Sequence, residues 1–266
     1  MMMQLISLLS FNEISTTTIT IILFVLLTLL YFAGFKLKRW FIKRGTVEEN
    51  SGLGIVEGAL LSLFGLFIGF TFSMASYRFD HRRETIIAEA NNIGTAILRT
   101  DLYPDSARTE IRSHLKLYLE YRIAYYDAVV DESLIKASLE GANKESGIIW
   151  NIITSLGKNP ENREATLLMV PALNEMIDIV TTRESAKNGR VPTSVLWVLI
   201  VLSLCSSFIA GYGTRGKSIN YVVSLFFIVM ITSSIYLIID LDRPRRGLIN
   251  TDDANNKIIE LREMFK

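Results

Sequence analysis

The chain has 266 residues, half of them hydrophobic, and a mean hydropathy of +0.32, more apolar than an average water-soluble domain. A formal net charge of +1 argues against a nucleic-acid partner, which demands a basic face. The one cysteine, Cys205, cannot close an intramolecular disulfide and so carries no information on redox compartment.

Four uncharged stretches account for the excess hydropathy. No Asp, Glu, Lys or Arg occurs between Glu13 and Lys36, Glu57 and Arg78, Arg190 and Arg215, or Lys217 and Asp240, gaps of 22, 20, 24 and 22 residues. A helix needs about 20 residues to cross a hydrocarbon core of about 30 Å. An all-α membrane protein with four spanning helices is expected, with a helical region inserted between the second and third spans. The whole chain, 1–266, is read as a single membrane domain.

The first span is expected at about 16–35. The opening residues MMMQLISLLSFNEI lack the basic segment of a cleavable signal peptide, so this span is read as a retained anchor. Thr16, Thr17, Thr18 and Thr20 can bond their hydroxyls to the preceding turn. Lys36, Lys38, Arg39, Lys43 and Arg44, with Trp40 and Phe41 among them, form an interfacial mixture. Asn50-Ser51-Gly52 breaks the chain before the second span, expected at about 54–77.

Residues 78–190 read as soluble helix. Ile86, Ile87, Ala90, Ile93 and Ile97 keep a helical period, so the second span is expected to continue as an amphipathic helix to about Leu102. Pro104 stops it, and Asp105 or Ser106 opens a helix carrying Ile111, Leu115, Leu119, Ile123 and Tyr126. A third begins near Asp131 or Ser133 and is expected to break at Gly141. A fourth, from Glu161 to about Ala186, places Leu167, Val170, Leu173, Ile177 and Val180 on one face, with a kink at Pro171. The third and fourth spans follow at about 192–212 and 219–239. A tail, 240–266, ends in a short amphipathic helix around Ile258, Leu261 and Phe265.

An even number of spans puts both termini and the insertion on one side. Ten Lys/Arg near the span ends lie there, against seven in the opposite loops (which include Arg215 and Lys217). The positive-inside rule makes the insertion side cytoplasmic.

The second span holds the most informative pattern. Gly58, Ser62, Gly65, Gly69, Ser73 and Ser76 recur at spacings of 4, 3, 4, 4 and 3. At about 100° per residue these six small side chains share an arc of roughly 80°. Two readings stand. Gly65-x-x-x-Gly69 permits close approach of two membrane helices. Alternatively, several copies of the helix surround a pore, with Leu66 and Phe70 beside the stripe as an apolar constriction. Glu57, at the edge of the span, either faces a bundle interior or water path, or snorkels to the interface.

No catalytic constellation stands out, and an enzyme is not expected. His81 and His114 are 33 residues apart without metal-ligand spacing. Nothing calls for a cofactor or metal. In DLDRPRRGLI, Arg243, Pro244 and Arg245 occupy positions where a calcium loop needs ligands.

The segments VEGALLSLFGLFIGFTFSMASYRFD, RRETIIAEANNIGTAILRTDLYP, PALNEMID and IDLDRPRRGLI resemble recurring segments of the bacterial bestrophin-like membrane proteins, whose function is unassigned. A more distant resemblance is to the bestrophin anion channels. Gly69-Phe70 followed by Arg78-Phe79, and Asp242, Pro244 and Gly247 after the last span, carry it. This resemblance implies a pentamer with one copy of the second span per subunit around the axis, and cytoplasmic termini. It also implies three neck positions, here Ser62, Leu66 and Phe70, of which Ser62 departs from the apolar pattern. If the helix continues straight, Asp80, Arg83 and Glu84 lie on the stripe's side at the cytoplasmic mouth, while Arg78 and Arg82 lie opposite. The expectation is a homo-oligomeric, passive ion channel of a bacterial inner membrane, with the lipid bilayer and inorganic ions as partners; the resemblance implies anions, while the mixed charge at the mouth leaves the selectivity open. The alternative is a non-conducting scaffold in which the stripe only packs helices.

Overall fold

The computed structural model describes residues 15–48, 54–128, 131–214, 218–243 and 247–266. Arg215, Lys217, Pro244, Arg245, Arg246, the opening segment and the Asn50-Ser51-Gly52 break lie outside the described residues. Among those described the chain forms eight α-helices and no strand: α1 (Thr16–Lys43), α2 (Ile55–Arg99), α3 (Asp105–Asp127), α4 (Glu132–Leu156), α5 (Arg163–Asn188), α6 (Thr193–Gly213), α7 (Tyr221–Leu241) and α8 (Asp252–Glu260). Short 3-10 turns cover Thr100–Leu102, Pro160–Asn162 and Leu261–Phe265. The four uncharged stretches fall in α1, α2, α6 and α7, in helices long and apolar enough to cross a membrane. The protein is an all-α membrane protein. In hydrocarbon a helix meets the requirement that each N–H and C=O find a partner within its own segment.

The helix starts follow the local chemistry. Asp131 caps α4 by accepting from Ser133 N and Leu134 N, at 3.0 and 3.1 Å. Asn220 caps α7, accepting from Val223 N at 3.2 Å. Helix α2 runs unbroken out of its apolar part to Arg99 and then through the 3-10 turn to Leu102.

The chain divides into two compact units, Met1–Tyr77 with Arg190–Asn250, and Arg78–Gly189 with Thr251–Lys266. The second unit starts where the insertion was expected to start. It also takes in α8, which the sequence places in a separate tail.

In the first unit α1 packs along α6 and α7. A Cβ at Gly34 would strike the carbonyl oxygen of Phe208 and lie 2.9 Å from Tyr212 N. A Cβ at Gly211 would strike the Tyr31 carbonyl. These two glycines let the α1 and α6 backbones touch, the role small residues serve between membrane helices. Polar groups hold the same contact. Ser207 Oγ donates to the Leu27 carbonyl at 2.7 Å, and the Tyr31 hydroxyl lies 3.1 Å from Thr214 Oγ1. Lys38, expected among interfacial cations, is instead 1% exposed and donates from Nζ to the Thr214 carbonyl at 2.9 Å. A buried ammonium thus caps the carbonyl end of α6.

In the second unit Ile86, Ile93 and Ile97 of α2 pack with Ile111, Leu115 and Leu119 of α3, Ile149 and Ile153 of α4, Met169 and Met176 of α5, and Ile258 of α8. Two expectations need correction. Helix α4 does not break at Gly141: a Cβ there would lie 2.4–2.6 Å from the Tyr121 ring, so the glycine makes room for an aromatic neighbour. On α5, Leu173 is buried as expected and Val170, Ile177 and Val180 are half-buried, but Leu167 is 68% exposed, and Ala165, Met169, Ala172, Met176 and Arg183 complete the buried face. Pro171 sits inside that helix, which stays helical past it.

Arg183 belongs to a buried ionic cluster that joins three helices. Glu89 of α2 accepts from Arg122 Nε on one carboxylate oxygen and from Arg183 on the other, with all three side chains at most 5% exposed. Burial alone opposes ionisation of Glu89. The positive charges of Arg183 and Arg122, with their hydrogen bonds, outweigh it and hold the carboxyl below its ordinary range. A depressed folded-state value means that this stabilisation is present above the unfolded value and lost as pH falls through the folded one.

Two outcomes are expected. Gly211→Ala forces α1 and α6 apart and should cost about 1–3 kcal/mol, read as a lower unfolding midpoint in detergent. Glu89→Gln strands two buried guanidiniums and should cost about 3–5 kcal/mol near neutral pH. The gap between wild type and that variant should narrow on acidification below about pH 4.

Candidate functional site

One side of α2 within the first unit is left uncovered by the described residues. Gly58, Ser62, Gly65, Leu66, Gly69, Phe70 and Ser73 are exposed, with Leu66 at 53% and Phe70 at 65%. Ser76 is half-buried. A Cβ added at Gly58, Gly65 or Gly69 would have no neighbour within 4 Å. The opposite side of the same helix, Phe64, Thr71 and Ala75, is buried, and Thr71 returns its hydroxyl to the Phe67 carbonyl at 2.7 Å. Helical geometry sets Leu66 and Phe70, four residues apart, beside the small-residue stripe on this open side. Ser62 precedes Leu66 by the same step and is also exposed.

Gly58, Gly65 and Gly69 therefore pack no helix among the described residues. Gly34 and Gly211 do. In α6 the buried Ser203, Ser207 and Gly211 recur every four residues, a small-residue spacing that marks this contact in the sequence, whereas Gly34 is the single glycine of α1.

Glu57 is half-buried and stands at the end of α6. A Cβ at Gly213 would lie 2.5–2.7 Å from its carboxylate group, so the absent side chain is what lets the carboxylate approach.

In the second unit Asp80, Arg83 and Glu84 are all exposed. They are not equivalent. Arg83 donates from Nε and Nη2 to one oxygen of Asp253, on α8, at 3.2 and 3.0 Å. That hydrogen bond from Arg83 lowers the Asp253 pKa. Asp80 and Glu84 make no ion pair among the described residues. Arg82 is buried and donates from Nη1 to the Gly189 carbonyl at 3.0 Å. Arg78, one turn earlier, is half-buried, and its Nη1 would lie 3.1 Å from a Cβ on Gly189. Both arginines thus serve the C-terminal end of α5 rather than the exposed side. Phe79 is half-buried.

The segment after α7 is a structural joint in the first unit. Asp240 is fully buried and accepts from Ile249 N at 2.9 Å. A Cβ on Gly247 would collide with its carboxylate. Asp242 Oδ1 accepts from Val191 N at 2.9 Å, tying the end of the last span to the residue before Pro192. Asp242 and Gly247 are accordingly explained by backbone hydrogen bonding and close approach. Pro244 lies outside the described residues. No group of three or more His, Cys, Asp or Glu able to hold a metal occurs among the described residues.

The fold is similar to that of solved bacterial membrane proteins. A crystal structure of a variant bacterial bestrophin homologue from Klebsiella pneumoniae superposes with a TM-score of 0.75 at 16% identity, covering 96% of this chain and 100% of the other. A second structure of a bacterial bestrophin homologue from that organism, phased on zinc, gives 0.70 at 18% identity, covering 92% and 98%. A third, described as a membrane protein, gives 0.69 at 18% identity with the same coverage. No curated protein matched the chain. The Bestrophin-like domain matches residues 20–255, which takes in the whole helical insertion, the last three spans and most of the first. The chain belongs to the bestrophin-like family.

Proposed function

We propose that the protein is a passive ion channel assembled from several copies of this chain in a bacterial inner membrane, with the exposed side of α2 lining the pore. The observation that carries this reading is the open side itself. A membrane-spanning helix presents glycines, serines, Leu66 and Phe70 to no partner of its own chain, while other glycines do the intrachain packing. Small residues leave a wide passage, and the large apolar pair narrows it. Apolar constrictions of this kind gate by dewetting. Ser62 forms a hydrophilic ring on the other side of that narrowing. Membership of the bestrophin-like family and the fold it shares with bacterial bestrophin homologues support the same conclusion.

One chain is too small to enclose such a path, so the reading requires a homo-oligomer, and a pentamer is the number implied by the bestrophin resemblance. The second unit supports self-association. It exposes Leu98, Leu102, Leu167 and Leu168 at 61, 51, 68 and 50%. Arg99 of α2 bonds the Leu168 carbonyl of α5, and exposed apolar side chains of this kind mark surfaces that a partner covers. The charge count supports a cytoplasmic second unit.

Charge at the inner exit favours cations over the anions that the bestrophin resemblance implies. Each copy would contribute Asp80 and Glu84, while Arg83 is neutralised by Asp253 and Arg78 and Arg82 are engaged at α5. Carboxylate rings suit cation pathways.

Reconstituted vesicles test both parts. Leu66→Ala and Phe70→Ala should raise flux several-fold by widening the constriction, and silence from a stable oligomeric preparation under all ionic conditions would sink the channel reading. Gly65→Ala separates pore lining from simple packing: a lined pore keeps its oligomer and changes conductance, whereas a packed helix pair loses the oligomer. In a salt gradient the wild-type reversal potential should sit on the cation side, and Asp80→Asn with Glu84→Gln should move it towards zero. A wild-type value at the anion limit would refute the cation assignment.

A further inference from the structure

The buried cluster in the second unit carries more positive charge than its own carboxylate can balance. Arg122 is 1% and Arg183 4% exposed, and Glu89 is fully buried. Each guanidinium spends one nitrogen on Glu89. Arg122 Nη1 and Arg183 Nη2 are buried with no hydrogen-bond acceptor. The charge of the triad is therefore +1, and Arg122 Nη1 and Arg183 Nη2 are two strong donors that Glu89 leaves unused.

The aromatic surroundings point the same way. The Arg122 and Arg183 guanidiniums stand 4.7 and 5.4 Å from the centre of the Tyr125 ring, and Lys187 Nζ stands 5.3 Å from it. A ring face stabilises a cation through its quadrupole but contributes no net charge. Two guanidiniums at one neutral ring, with Glu89 the carboxylate they share, make a field that attracts an anion.

We propose that Arg122 and Arg183 together bind one small monovalent anion of chloride's kind, held by Arg122 Nη1 and Arg183 Nη2. A single negative charge brings the triad to neutrality. A divalent anion would overshoot, and water would satisfy the donors but leave the charge unbalanced at the cost of an unpaired buried ion. The site is separate from the exposed side of α2 and stands whether or not the protein conducts.

The test uses the purified full-length protein in detergent, with chloride exchanged for gluconate at constant ionic strength. Bound anion stabilises the fold by mass action, so the unfolding midpoint should rise by about 3 °C for each tenfold increase of chloride above saturation. Bromide should act as chloride does, and Arg183→Gln should abolish the dependence. Crystals soaked in bromide should show an anomalous peak within hydrogen-bonding reach of Arg122 Nη1 and Arg183 Nη2. That measurement needs only the wild type and decides the matter if the variant fails to fold. A midpoint indifferent to halide, or a bromide-soaked crystal with a water and no anomalous signal at the two nitrogens, would overturn the proposal.

Discussion

Helix α2 has to satisfy one backbone in two solvents. Its first half contains no charge for twenty residues and its second half carries Asp80, Arg83 and Glu84, yet the hydrogen-bond ladder runs from Ile55 to Arg99 without interruption. In hydrocarbon a break would strand N–H and C=O groups, so continuity is enforced up to the interface. Beyond it, continuity has to come from packing. Ile86, Ile93 and Ile97 supply it by entering the core of the second unit, and Glu89 adds an ionic anchor to α3 and α5. The open side of the helix is what remains when its other side has been used by the rest of the chain.

Small residues have different uses according to what faces them. Gly34 and Gly211 are glycines because a backbone lies where their Cβ would be. Gly141, Gly213 and Gly247 yield space to a tyrosine ring or a carboxylate. Gly58, Gly65 and Gly69 yield space to nothing in the same chain, which turns the question from packing to passage. No spacing rule distinguishes these cases, since each depends on a neighbour remote in sequence.

Charge shows the same dependence. The second unit buries Glu89 between Arg122 and Arg183, a costly arrangement that the carboxylate only half offsets. Hydropathy alone reads the core only in part there. Leu173 is buried and Leu167 and Leu168 are exposed, while Arg183 on the buried side is matched by Glu89 of α2.

The sequence alone determined the membrane class, the four spans, the continuation of the second span to Leu102 and the starts of the capped helices. These follow from hydropathy over about 20 residues and from capping side chains, both local in the chain. It also placed Leu66 and Phe70 beside the small-residue stripe, since helical geometry fixes that relation by itself. Only the tertiary structure decided that this stripe is uncovered, that Gly34 and Gly211 carry the close helix contact, that Lys38 is buried, and that Arg83 is spent on Asp253. Each of these depends on a contact across tens to hundreds of residues, where a side chain's role is set by its neighbour and not by its own identity.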